Sequence, residues 1–219
     1  MRGFVLGWLV IVAALAGCAR KTPAPGAGAD STTAESTLAR PLPPRPDSKQ
    51  DSIALEGMEL SLRFRLYDSR PAGLGVPFTT YVPEDMAVRW APAESGDRFV
   101  ARAVFGGKVE PRAYVEVRFL PAGASEAAAR DSLARWAPDE RPSPIEGERR
   151  YAWSVAERWT ARGAGDQEVD GIAALGRHGA RLFVIRIEYP PEYGEGLLPR
   201  VGKMLEDWRW EDTGGGLGA

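Results

Sequence analysis

From residue 58 to residue 67 the chain alternates strictly, with Met58, Leu60, Leu62, Phe64 and Leu66 set against Glu59, Ser61, Arg63, Arg65 and Tyr67. A period of two sends successive side chains to opposite sides of an extended backbone, so the stretch predicts a strand with one apolar face. Shorter apolar runs follow at 78–82, 86–90, 99–105 and 113–120. Pro83-Glu84-Asp85, Glu94-Ser95-Gly96-Asp97 and Gly106-Gly107 separate them with turn-forming residues. Together they predict an antiparallel meander.

The pattern then changes. Ser125 is placed to cap a helix that has Glu126 in its first turn, an inner face of Ala129, Leu133 and Trp136, and an end before Pro138. A proline-punctuated loop runs to Pro144, after which Tyr151, Trp153, Val155 and Trp159 fit a strand period. Runs 169–175 and 181–189 read as paired strands around a Gly176-Arg177-His178-Gly179 turn. Leu197, Leu198, Val201, Met204 or Leu205, and Trp208 form one helical stripe, with Pro199 in its first turn. Strands outnumber helices, and the helices are available to cover a sheet. The expected class is α+β, an antiparallel β-sheet covered by helices.

Charge narrows the partners more than it identifies one. The chain has 28 Lys plus Arg against 30 Asp plus Glu, which leaves no electrostatic footprint for nucleic acid. Residues 57–212 are enough for one core without disulfides. Ahead of them, residues 19–56 are rich in Ala, Thr, Ser, Gly and Pro and offer almost nothing to bury, so they read as a disordered tether. Residues 213–219, with three consecutive glycines, read as a flexible tail.

The start of the chain carries an address. Arg2 precedes an apolar run at 4–16, too short for the roughly 18 to 20 residues of a membrane-crossing helix. Leu15-Ala16-Gly17-Cys18 resembles the lipobox of bacterial lipoproteins. That resemblance implies removal of residues 1–17, acylation of Cys18, and attachment to a membrane through the acyl chains, with 18–56 as lipidated cysteine plus tether. Ala19 resembles outer-membrane sorting for a Gram-negative host.

A second resemblance lies in the domain. Phe78-Thr79-Thr80-Tyr81-Val82-Pro83-Glu84-Asp85-Met86 is similar to the opening of PsbP-like domains. Phe183 to Pro190, followed by Pro199-Arg200-Val201 and Leu205 to Trp210, resembles that superfamily's last strand and closing helix. The likeness implies an α/β/α sandwich over 57–212 and a domain that binds or docks a protein or envelope component.

Catalytic constellations are scarce. His178 is the only histidine and Cys18 the only cysteine, so Ser-His-Asp, Cys-His and multi-histidine metal sites are not expected. Between two glycines, His178 reads as an exposed turn residue. Asp166-Gln167-Glu168-Val169-Asp170-Gly171 echoes a calcium loop, but Arg177 stands where a bidentate Glu belongs. No catalytic residue, metal or cofactor is therefore expected. Most of Trp90, Trp136, Trp153, Trp159, Trp208 and Trp210 are expected in the core. Trp153 and Trp159 with Arg158, Arg177 or Arg181 are the candidate lining of a groove for a small apolar or sugar-like ligand, because Trp and Arg dominate binding hot spots.

Overall fold

The structure is a computed structural model that describes residues 42–72, 76–91, 97–137, 140–141 and 149–218. The signal at 1–17, Cys18 and the tether up to residue 41 lie outside the described residues, as do the turn residues Glu94, Ser95 and Gly96.

Two antiparallel sheets carry the fold. The first has the strand order β1 (Ser48–Leu55), β2 (Met58–Asp68), β3 (Phe78–Pro83), β11 (Arg209–Trp210). The second has the order β4 (Met86–Ala91), β5 (Arg98–Phe105), β6 (Lys108–Phe119), β10 (Arg181–Tyr189), β9 (Val169–His178), β8 (Ala156–Arg162), β7 (Glu140–Arg141). The described residues hold two α-helices, α1 (Glu126–Trp136) and α2 (Gly194–Glu206).

This corrects the expected helix-covered α/β/α sandwich of PsbP-like type. The layer facing the large sheet is largely a second sheet. Phe78 and Val82 of β3 share a core with Phe99, Val115, Val117, Phe119, Phe183, Ile185 and Ile187 of the seven-stranded sheet. Helix α2 adds Leu197, Val201, Met204 and Leu205 to that core, and Trp208 and Trp210 complete it. On the opposite face of the large sheet, α1 buries Ala129 and Leu133 against Leu175, Leu182 and Val184. Each large apolar side chain so buried stabilises by about 1.5–3 kcal/mol relative to exposure.

Local chemistry explains the elements. Ser125 caps α1 as expected, its hydroxyl accepting from the Ala128 N–H at 3.2 Å. Gly176 leaves room for the Phe183 ring, which an added Cβ would meet at 2.3 Å. Pro199 sits inside α2 beyond its first turn, because the helix begins at Gly194.

Three more expectations change. Ser48–Leu55, assigned to the tether, is β1, and residues 42–47 lead into it with Tyr81 Oη donating to the Pro46 carbonyl at 2.8 Å. The tail is packed: Leu217 is buried, and the Trp210 N–H donates to the Gly215 carbonyl at 2.8 Å. Tyr151 and Trp153 belong to a turn, with β8 beginning only at Ala156.

The β1–β2 hairpin turns at Glu56 and Gly57, whose φ angles are 49° and 77°. Two positive φ angles suit Asn-Gly, and Glu at the first position is strained. Glu56→Asn is expected to raise stability by about 0.5–1 kcal/mol. The urea midpoint measures it, and a lowered midpoint contradicts the turn assignment.

Candidate functional site

The exposed side of α2 forms the floor of an open groove. At one end a cavity of about 440 Å³ is lined by Arg150, Tyr151, Ala152, Trp153, Gly202, Leu205 and Glu206. A second, of about 400 Å³, is lined by Ser52, Ile53 and Ala54 of β1 together with Arg150, Leu198, Pro199, Gly202, Lys203 and Glu206. Arg150, Gly202 and Glu206 line both, so the two form one groove along the helix. A Cβ added at Gly202 would meet nothing within 4 Å, so the floor is open at that point.

One carboxylate holds the aromatic wall. Glu157 accepts hydrogen bonds from the Arg150 N–H at 2.9 Å and the Tyr151 N–H at 2.8 Å, and the Ser154 hydroxyl lies 2.7 Å from it. Tyr151 and Trp153 stack with ring centroids 5.2 Å apart, and Trp153 leans on Phe183 at 5.8 Å. The Arg150 guanidinium lies 5.7 Å from the Tyr151 ring and 5.9 Å from that of Trp159. Burial pushes the Tyr151 phenol above its ordinary value, which keeps it neutral at physiological pH.

An ion network fixes the other wall to the floor. Lys49 bridges Asp51 at 2.8 Å and Asp207 at 2.7 Å, while Lys203 of α2 reaches Asp51 at 3.0 Å. Hydrogen bonds from Lys49, then Lys203, then the Ser52 N–H hold the Asp51 carboxyl well below the usual carboxylate range. The bond to Asp51 raises Lys203. Burial works against the Lys49 cation, but its bonds to Asp207 and Asp51 prevail and raise it.

The residues proposed from sequence do not converge. Trp153 lines the groove, but Trp159 is buried behind it in the main core. Arg158 lies on the other side of the sheet, its Nε donating to the Ala137 carbonyl at 3.0 Å. Arg177 is on that same side, bonded to Glu126 of α1 at 2.9 Å. Arg181 stands opposite His178 in the β9–β10 register, and neither lines the groove. Sequence reasoning missed Arg150, Tyr151 and Gly202. The signal for the first two was their place beside Trp153 in a short aromatic-basic run.

His178 is not an exposed turn residue. It ends β9, is 5% exposed, stacks on Trp210 at 4.3 Å, and sets Nε2 2.9 Å from both Asp212 oxygens. The calcium-like run continues into β9, with Asp170 and Gly171 inside the strand, so its spacing is extended where an ion-binding loop must curl. Among the described residues, no three His, Cys, Asp or Glu groups stand close enough to hold a metal ion. No helix among them is long and apolar enough to cross a membrane. Compared with known proteins, the chain matches no family model and no curated sequence.

The network makes a pH prediction. Asp51 titrates lower in the folded state than its unfolded value of about 3.9, so its contribution is present above that pH and is lost as pH falls through the depressed native value. Asp51→Asn is expected to lower the urea midpoint at pH 7, with a deficit that shrinks steadily below about pH 4. A deficit unchanged across that window contradicts the assignment.

Proposed function

We propose that the chain is a lipid-anchored, non-catalytic binding module of a bacterial envelope. It is exported, cut before Cys18 and held to the membrane through acyl chains on that cysteine, in the outer membrane where the host is Gram-negative. The anchor reading rests on Leu15-Ala16-Gly17-Cys18 behind its short apolar run. The domain docks a protein or another envelope component along the α2 groove.

The groove's composition carries the binding reading. A stacked Tyr151–Trp153 wall, one exposed arginine beside it and an open glycine floor combine apolar contact area with a cation, while Lys203 and Glu206 add one charge of each sign further along. Such a surface suits a segment with a flat apolar portion and an anionic group. The groove extends from the aromatic turn to β1, which favours an elongated partner. The cavity at the aromatic end falls within the roughly 300–1,000 Å³ of small-molecule sites, which supports a second reading as a carrier or sensor of a small apolar or sugar-like ligand. The one histidine supports a structural role: its Nε2 faces Asp212 and its ring lies on Trp210.

Two measurements test the two halves. The intact mass of membrane-extracted protein is expected to begin at an acylated Cys18, with Cys18→Ala losing mature membrane attachment; a soluble, unmodified wild type overturns the anchor. The groove is probed with the aromatic anion 8-anilinonaphthalene-1-sulfonate. Wild type is expected to enhance its emission, and Gly202→Leu and Arg150→Gln to cut that enhancement at least severalfold. Gly202→Leu fills an open space and favours the helix, so its unfolding midpoint is expected to hold or rise. Unchanged probe emission in both variants overturns the groove.

A further inference from the structure

The outward side of the seven-stranded sheet is divided. Helix α1 rests on β8, β9 and β10. Towards β4, β5 and β6 the same side is arginine. Register sets Arg102, Tyr114 and Glu188 in one cross-strand row, Arg89, Val100, Glu116 and Arg186 in the next, and Arg98 with Arg118 in a third. Their neighbours Ala101, Val115, Val117, Ile185 and Ile187 point the other way, into the core, so the period of the strands commits all three rows to this side.

Two buried carboxylates organise the cations. Glu188, 3% exposed, accepts from Tyr114 Oη at 2.6 Å and Arg162 Nη2 at 2.6 Å, and pairs with Arg186. Glu116 pairs with Arg118 at 2.5 Å and with Arg98 at 3.7 Å. Burial, and then the Glu188 charge, push the Tyr114 phenol up, so it stays neutral and donates. The glutamates lie beneath, Arg118 is covered against the Trp136 ring, and three arginines reach solvent: Arg162 is 48% exposed, Arg98 39%, and Arg89 is exposed at the edge. Arginine stems cover the strands while the charged heads stay in water. In a chain of net charge −2, this one face carries a clear excess of cations.

We propose that this arginine-covered sheet face is a docking surface for anionic phospholipid headgroups. The charges form a broad, shallow field in place of a pocket, which matches the diffuse negative potential of a bilayer surface. Guanidinium forks also bind phosphate oxygens in pairs. The contact orients the domain on the membrane and leaves the α2 groove free, since no residue of these rows lines it. It is independent of acylation at Cys18.

The test removes the acyl anchor. Full-length chain carrying Cys18→Ser is sedimented with vesicles of phosphatidylcholine alone, or of phosphatidylcholine mixed equally with phosphatidylglycerol. Arg89→Gln, Arg98→Gln and Arg102→Gln are combined in the same background, so the apolar run at 4–16 contributes equally to both proteins. The parent is expected to prefer the anionic vesicles, less so at high salt. The triple variant is expected to lose that preference on the order of a hundredfold, roughly fivefold per arginine, while lysine at the three positions retains most of it. Arg89→Glu, at an exposed edge position, reverses one charge without touching either buried glutamate and is expected to weaken anionic binding alone. Equal binding of the parent to both lipids, or anionic binding unchanged in the triple variant and in Arg89→Glu, overturns the proposal.

Discussion

Phe78, stacked on Trp208 with ring centroids 3.8 Å apart and planes 14° from parallel, is the residue through which two sheets become one core. Phe78 belongs to the smaller sheet and meets Phe99 and Phe119 of the larger one at 5.8 and 6.0 Å. Trp210 continues the cluster to Phe183 at 5.4 Å and to His178 at 4.3 Å. Tilted and edge-on ring pairs of this kind add about 0.5–1.5 kcal/mol each beyond the area they bury. Glycine at 176 exists to let one of these rings lie flat on the sheet.

The groove depends on that core at second hand. Its aromatic wall leans on Phe183 through Trp153, so the turn that presents Tyr151 and Arg150 is braced from behind by the sheet and from within by Glu157. Its floor is held to the meander by Arg200 of α2, which bonds Asp85 at 2.6 Å, and by the Thr80 hydroxyl donating to the Met204 carbonyl. The β1 wall is tied to the helix by a network of charges, through Lys49, Asp51, Lys203 and Asp207. Partly exposed ion pairs of this kind stabilise weakly, so this wall is the one most able to yield to an occupant.

β2 was legible because its strict alternation marks an extended segment with one apolar face, and β10 because a continuous apolar run marks a strand buried on both sides. β1 was not. Its Lys49 and Asp51 take the places of apolar residues and are satisfied by Asp207, just past α2, and Lys203 on it, more than a hundred residues away in sequence. Leu217 was illegible for a similar reason: one leucine among glycines has no periodicity, and only the closing cluster gives it a place. The neighbouring glycine misled the reading of His178, since β9 runs on past the expected end at 175 to include it and pairs it with Arg181. For the site, Trp153 was a sound choice. Arg158 was not, and the strand period already forbade it: adjacent to Trp159 in an extended chain, it must face the opposite side. The all-helical covering expected of the sheet failed because helical and extended layers bury the same apolar face equally well.

The order in which the chain is made has a bearing on when this core can exist. β3 is finished early, yet the rings that close over it, Trp208 and Trp210, and the side chain that seals them, Leu217, follow it by more than a hundred residues. A polypeptide emerging N-terminus first therefore holds its meander open until those residues are free. Until then Phe78, Phe119 and Phe183 lack their principal covering, so the unfinished chain offers its stickiest surface to whatever escorts it. Completion, when it comes, rests on a few side chains after α2 that convert an incomplete sheet pair into a closed interior.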